Sequence, residues 1–191
     1  MARRSEVEPQ VMKTTLAIFS GLPGTGKTAL AKLAASTLKM PLLRIDDIVA
    51  SIPDHMRIHA NPFWDDMIGI LLSLVGAQLE LGISVMVDSV FMGADRMQAY
   101  DLAMRNKAAF RPIYTYVSDE AVWRERVTCR AEASPPEDNV ATWDTIQEQR
   151  KGFWPWKEGS ALFVDAIFPI ESNLERVVEF ITAAHVELKP L

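Results

Sequence analysis

The stretch GLPGTGKT at residues 21–28 constrains this chain more than any other feature. It follows an apolar run, TLAIFS, and opens a helical pattern, KTALAKLAA. A glycine turn passing from a buried strand straight into a helix lets backbone N–H groups and the positive helix end face phosphate oxygens. Gly21, Gly24 and Gly26 supply the positive φ values such a loop needs. The expected cradle comprises Leu22, Pro23, Gly24, Thr25, Gly26, Lys27, Thr28 and Ala29. Within it Lys27 bridges the outer phosphates of a nucleoside triphosphate, and the Thr28 hydroxyl ligates Mg²⁺.

Apolar, β-prone runs alternate with helical patterns along the rest of the chain. Strands are expected over 15–19, 41–45, 84–87, 112–117 and 161–164, mostly without polar alternation, as in strands covered on both faces. Helices are expected to begin near Lys27, Pro62, Ala94, Asp119 and Asn173. Asn61 before Pro62 suits a helix start and Gly82 a helix stop. Ser172 with Glu175 suits a capping box. Such alternation predicts a five-stranded parallel sheet with helices on both faces, an α/β three-layer sandwich, formed by residues 1–191 as one domain. Ligands of such sheets bind outside the carboxyl ends of the strands.

Two strands end in acids there. The second runs into RIDDI, placing Asp46 and Asp47 at the edge, and the third into VMVDS, placing Asp88 there. Carboxylates gathered near a lysine-bearing phosphate loop call for a metal or a substrate between them. The alternative is helix capping for Asp46 or Asp47, and a cap or turn role for Asp88. Asp88 is followed by Ser89 rather than by a glutamate that would prepare a water. That favours transfer to a bound acceptor over a hydrolytic motor.

With these pieces the chain resembles the small P-loop kinases, the AAA-domain ATP-binding proteins related to chloramphenicol phosphotransferase, gluconate kinase, zeta toxins and polynucleotide 5′-kinases. The likeness runs from about residue 15 to 181 and rests on GLPGTGKTALAKLAA, IDDI, LLSLVGAQLELGISVMVDSVFMGADR, VWRERVTCRAEA and FVDAIFPIESNLERVVEFI. It implies a nucleoside-kinase-like P-loop fold with a helical lid at about 119–140, and ATP and Mg²⁺ as cofactors. It also implies Asp46 as the base that orients and deprotonates an acceptor hydroxyl, and Asp88 near Mg²⁺ or the acceptor. Arg126 and Arg130 match lid arginines that close over ATP, and Arg96 matches an arginine near the substrate. Many relatives continue the acidic pair as Asp-Asp-x-Arg, whereas Val49 stands here. That loss of an acceptor-phosphate clamp weighs against a polynucleotide 5′-end kinase.

Arg126 and Arg130 lie four apart and share a helix face, as a two-armed clamp requires. The alternative is a solvated charged helix laced by pairs such as Glu120 with Arg124. The segment from Arg96 to Arg130 is locally basic, which suits ATP and, weakly, a nucleic-acid end. The net charge of −5 disfavours a broad nucleic-acid-coating surface. His55 and His59 fall in a loop where relatives build acceptor pockets, although surface positions are the commoner use of such histidines. His185 reads as surface, Asp165 as a turn former, and GFWPW at 152–156 as a core anchor before a stacking platform. Cys129 reads as packing; as the single cysteine it excludes an internal disulfide and suits a reducing cytoplasm.

No apolar run directly follows the two arginines of residues 1–10, so no signal peptide is expected. The greasiest stretch, 67–77, is too short to span a bilayer. Its helix, apolar nearly all round from Ile68 to Leu81, could serve a dimer interface as well as a core. The leading expectation is therefore an ATP-dependent kinase acting on the alcohol group of a small molecule. A polynucleotide 5′-end kinase and a non-catalytic nucleotide-binding regulator are the alternatives.

Overall fold

The computed structural model describes residues 14–53, 55, 61–135 and 140–190, with the backbone alone for 61–63. His59, the first thirteen residues and 136–139 of the expected lid lie outside the described residues. Five strands form one all-parallel sheet: β1 (Thr15–Ser20), β2 (Leu42–Arg44), β3 (Val85–Asp88), β4 (Ala109–Tyr116) and β5 (Leu162–Asp165). Their order across the sheet is β2-β3-β1-β4-β5. β1, the strand that feeds the phosphate loop, is therefore central, and all six of its residues are buried.

Alternation along β1 divides the core in two. Leu16 and Ile18 face a cluster containing Leu71, Val75, Leu79 and Ala99, drawn from α3 (Asn61–Glu80) and α4 (Gly93–Arg105). Ala17 and Phe19 face the opposite cluster, with Leu30, Ala31 and Ala34 of α1 (Lys27–Leu38) and Val177 and Ile181 of α7 (Ile170–Thr182). Successive strand residues point to opposite faces, so a run buried at every position demands helices on both sides. The sequence expectation of an α/β three-layer sandwich on a five-stranded parallel sheet is met.

Three further helices lie among the described residues: α2 (Ile45–Ser51), α5 (Glu120–Ala133) and α6 (Trp143–Gly152). α2 starts directly at the end of β2, and α6 was not expected at all. β4 begins at Ala109, three residues before the expected start, and so holds Pro112 inside the strand. There β4 pairs with β1 alone, because β5 joins only from Ile113 opposite Leu162. A missing N–H is tolerated where one side of a strand has no partner.

The last helix starts at Ile170 with Pro169 before it and no side-chain cap, so Ser172 and Glu175 lie inside it and form no capping box. Gly82, at φ 76°, does terminate α3. α3 is not buried all round: Ile70 and Leu74 are exposed, opposite the buried Met67, Leu71, Val75 and Leu79, and so is Leu81 just past its end. Among the described residues no helix is long and apolar enough to cross a membrane.

Candidate active site

The phosphate loop leaves β1 at Ser20 and enters α1 at Lys27, with Gly21, Gly24 and Gly26 all at positive φ. Two of these glycines are also demanded by close approach. A Cβ on Gly21 would lie 2.4 Å from the Thr115 carbonyl oxygen, and one on Gly24 would lie 2.6 Å from Val127 Cγ2. The loop side chains divide between anchoring and chemistry. The buried Thr25 hydroxyl donates to the Leu22 carbonyl at 2.8 Å and meets Thr115 Oγ1 at 2.9 Å. Leu22 is buried with Trp123, Val127, Ile146 and Phe153. The Pro23 carbonyl accepts from Trp123 Nε1 at 2.9 Å. Leu22, Pro23 and Thr25 thus hold the loop in shape, while Gly24, Gly26 and Ala29 line the cleft on one flank and Thr28 turns to Asp88 on the other.

On the opposite side of the loop the charged groups converge. The Thr28 hydroxyl donates to Asp88 Oδ2 at 2.7 Å, joining the start of α1 to the end of β3. Asp88 is 2% exposed, so its charge must be compensated locally. Arg44, the last residue of β2, supplies that compensation and was not singled out in the sequence. Its Nε donates to Asp88 Oδ2 at 3.3 Å, Nη2 to Asp46 Oδ2 at 3.2 Å and Nη1 to Asp47 Oδ1 at 2.7 Å. One planar guanidinium gathers all three strand-end carboxylates, which a lysine ammonium has no fork to do.

These contacts bear on the capping alternatives. Asp46 and Asp47 lie in the first turn of α2, whose start carries no side-chain cap, and their carboxylates turn to Arg44 instead. Asp88 closes no turn. Its Oδ1 is buried without a hydrogen-bonding partner, next to the Thr28 hydroxyl. A buried carboxylate oxygen left open beside a P-loop hydroxyl fits a hydrated Mg²⁺. That ion keeps several waters and takes only one or two protein ligands besides phosphate oxygens. Among the described residues no group of three His, Cys, Asp or Glu could hold a metal by itself.

Burial pushes the Lys27 ammonium below its ordinary pKa, while Asp88 and Asp46 pull it back up and Arg130 and Arg44 push it down. Lys27 therefore stands within electrostatic range of both acids, of Arg44 and of an α5 arginine. A partly buried lysine pressed by neighbouring cations gains most from a polyanion placed against it.

A cleft of about 530 Å³ opens on the other flank of the loop, lined by Gly24, Gly26, Ala29, Thr115, Arg126 and the segment from Ala166 to Ile170. Arg126 Nη1 donates to the Ala166 carbonyl at 3.0 Å, linking α5 to the turn after β5 across the cleft. Asp165 shapes that turn as expected, its Oδ1 accepting from the Ser118 and Ile167 amides. Arg126, although exposed, thus borders the cleft beside the phosphate loop, and the exposed Arg130, one turn further along α5, is near enough to Lys27 to press on its charge. The alternative pairing of Glu120 with Arg124 is not what the structure holds: Glu120 accepts from Arg150 of α6 at 2.9 Å.

Arg96 has a different surrounding from the one the resemblance implies. It is buried, donates to the Phe91 and Trp154 carbonyls, and lies over the Trp156 and Phe153 rings. Burial lowers its pKa to about 10. The GFWPW segment is mainly a core anchor, with Phe153 and Trp156 buried and Trp154 77% exposed. Cys129 is exposed on α5 and does not pack, because the inward face of that helix is taken by Trp123 and Val127. His55 and His185 are exposed.

The fold agrees with what the chain is similar to. Residues 16–153 match the family model described as an AAA domain. Among solved structures, an APS kinase of Mycobacterium tuberculosis in complex with AMPPNP and APS superimposes with a TM-score of 0.66 at 14% identity, covering 90% of this chain and 99% of that one. A gluconokinase of Sinorhizobium meliloti 1021 gives 0.61 at 16% identity, covering 89% and 92%. Kti12 of Chaetomium thermophilum in complex with ADP-AlF3 gives 0.68 at 15% identity, covering 88% and 100%. No functionally curated protein matches the sequence. The family model spans most of the chain, from β1 through the phosphate loop to the end of α6, and the chain belongs to the AAA-domain family, built on the fold of the small P-loop kinases.

Proposed function

We propose that the protein transfers the γ-phosphoryl group of ATP to a hydroxyl group of a small molecule. The single observation behind this reading is the meeting of Asp46, Asp88, Thr28 and Lys27 at one edge of the sheet, with Asp46 61% exposed toward solvent and Asp88 sealed. One acid is open to an acceptor while the other is committed to the loop. That division of labour suits transfer to a bound alcohol. The absence of a glutamate at Ser89 supports it from the sequence.

The loop amides and the N-terminal end of α1 hold the β-phosphate, and Lys27 spans toward the γ-phosphate. Thr28 and Asp88 would hold Mg²⁺, which would supply charge neutralisation for the transferring phosphoryl group. Asp46 accepts the proton of the acceptor hydroxyl as its oxygen bonds to the γ-phosphorus. The bond from that phosphorus to the bridging oxygen breaks, and ADP leaves with the electron pair. An exposed carboxylate is a weak base, which suffices when the transition state is loose and the acceptor is already aligned. Arg126 and Arg130 close the site from α5, so that the segment at about 119–140 acts as the lid. The cleft beside Ala166–Ile170 receives the base, with Ile167 and Phe168 partly exposed at its rim. The acceptor is a small molecule rather than a nucleic-acid end, since Val49 offers no clamp for a terminal phosphate, and the reducing cytoplasm is the proposed setting.

Incubation of the protein with Mg·ATP and a panel of sugars, nucleosides, amino alcohols and oligonucleotide 5′-ends tests the proposal. A phosphorylated small hydroxyl compound is expected, with formation reduced roughly 10²–10⁴-fold in Asp46→Asn, the range for loss of a general base. ATP binding should persist in that variant. Tight nucleotide binding with no transfer to any acceptor would replace this reading with a nucleotide-held regulator, an option that the likeness to Kti12 keeps in view.

A further inference from the structure

The guanidinium of Arg44 has a geometry that neither the motif nor the fold accounts for. It sits at the end of β2, 17% exposed, and each of its three nitrogens donates to a different carboxylate. One of those carboxylates ends the neighbouring strand β3, and the other two open α2. Arg44 is thus the one described side chain that hydrogen-bonds both Asp88 and Asp46. Asp46 lies in the first turn of α2, whose start carries no side-chain cap, and α2 is only seven residues long. Among the described residues this bridge is the one hydrogen bond that ties the Asp46 carboxylate to the loop side of the site.

We infer that Arg44 is a positioning residue: it ties the acceptor-side carboxylate Asp46 to the loop-side carboxylate Asp88 and acts as the internal counter-ion of both. The inference rests on the phosphotransferase reading above for the role of Asp46, but the bridge itself does not. With its three nitrogens spent on carboxylates, Arg44 does not serve as the anion clamp that relatives place three residues after the first aspartate of their acidic pair. It works instead on the protein's own acids. Two consequences follow, of opposite sign. Removing the guanidinium releases Asp46 and slows transfer. It also strips one positive charge from beside Asp88, whose rotamer Thr28 still holds, so a divalent cation there meets a more negative site and binds more tightly.

The test uses the full chain and two probes that need no knowledge of the true acceptor. The first is phosphate release from Mg·ATP with water as acceptor. Arg44→Met should lower kcat roughly 10–100-fold, the scale of a misplaced reacting group, while KM for Mg·ATP stays within about threefold. Arg44→Lys should recover part of the loss, since an ammonium can reach one carboxylate but not fork across three. The second probe is Mn²⁺ binding in the presence of ADP, read from the electron paramagnetic resonance of the free ion. Arg44→Met should tighten it roughly three- to tenfold.

Wild-type kcat in Arg44→Met would overturn the inference. Joint loss of kcat, KM and melting temperature, unrelieved in Arg44→Lys, would reduce Arg44 to a fold-holding residue and overturn it as well. Should Arg44→Met not fold, Arg44→Gln keeps the length and neutral charge and is judged by the same criteria. If the wild-type protein transfers phosphate neither to water nor to any hydroxyl compound, the phosphotransferase reading fails by itself. The Mn²⁺ measurement then decides the bridge alone: tightening supports it, and unchanged or weaker binding overturns it.

Discussion

The two flanks of the phosphate loop are held by different physics. On the β2–β3 flank, Thr28, Asp88, Arg44, Asp46 and Asp47 form a chain of charged hydrogen bonds, sealed at Asp88 and open at Asp46. On the α5–α6 flank, Leu22 packs against Trp123, Val127, Ile146 and Phe153, and the Trp123 indole bonds the Pro23 carbonyl. Directional charged bonds can exchange partners as phosphate and metal arrive, each at modest net cost. Close apolar packing has no such freedom, because shifting it opens a void. One flank is therefore mainly chemistry, and the other is mainly foundation, carrying Arg126 to the edge of the cleft.

Three substitutions bear on this division. The largest effect is expected at its centre: Lys27→Ala should cut phosphoryl transfer by roughly 10³-fold or more, on the scale of losing a preorganised charge partner. It should weaken ATP binding more than adenosine binding while the melting temperature stays near wild type, as checked by calorimetry and thermal scanning. Equal ATP affinity in the variant would remove Lys27 from the chemistry.

On the foundation side, Trp123→Ala should destabilise the protein by about 3–5 kcal/mol, the cost of emptying a buried aromatic site. Nucleotide affinity should fall with it, because Leu22 and the Pro23 carbonyl lose their support. Denaturant unfolding beside nucleotide titration separates the two. Unchanged stability would mean that α5 rests on the loop without holding it. The smallest effect is expected at Arg126→Ala, which removes a charged contact bordering the cleft. Turnover should drop about tenfold, in line with about 1.5 kcal/mol for a hydrogen bond to a charged group, with no change in unfolding midpoint. An unaltered rate would leave α5 as foundation only, with no part in the chemistry.

The layered fold was legible because it follows from local rules. Continuous apolar runs announced strands covered on both faces, and the Gly–Lys–Thr turn announced where the central one delivers its phosphate loop. The errors have equally local causes. α2 begins at Ile45, one residue before the helix start that Asp46 and Asp47 suggest, because Ile45 closes an apolar run and opens a helix without a break. α6 carries few apolar residues, with Ile146 its only buried position, so no periodic face marks it. Pro112 suggested a strand boundary, whereas the strand begins at Ala109 because β5 is absent beside that stretch. Ser172 and Glu175 satisfied a capping pattern that Pro169 had already made unnecessary.

By itself, then, the sequence determined that a parallel sheet forms and that its central strand opens into a phosphate cradle. It also determined that Asp46, Asp47 and Asp88 emerge at the same edge, because motif and periodicity act over a few residues of chain. Only the tertiary structure decided which partners those acids take. Arg44 lies two residues before Asp46 yet joins it to Asp88, forty-four positions further on from the arginine, because β2 and β3 are neighbours in the sheet. Likewise Arg96 became a buried bracket and Cys129 an exposed thiol through the packing of distant segments. Long-range pairing of charge is decided by which strand ends meet, and no spacing along the chain encodes that.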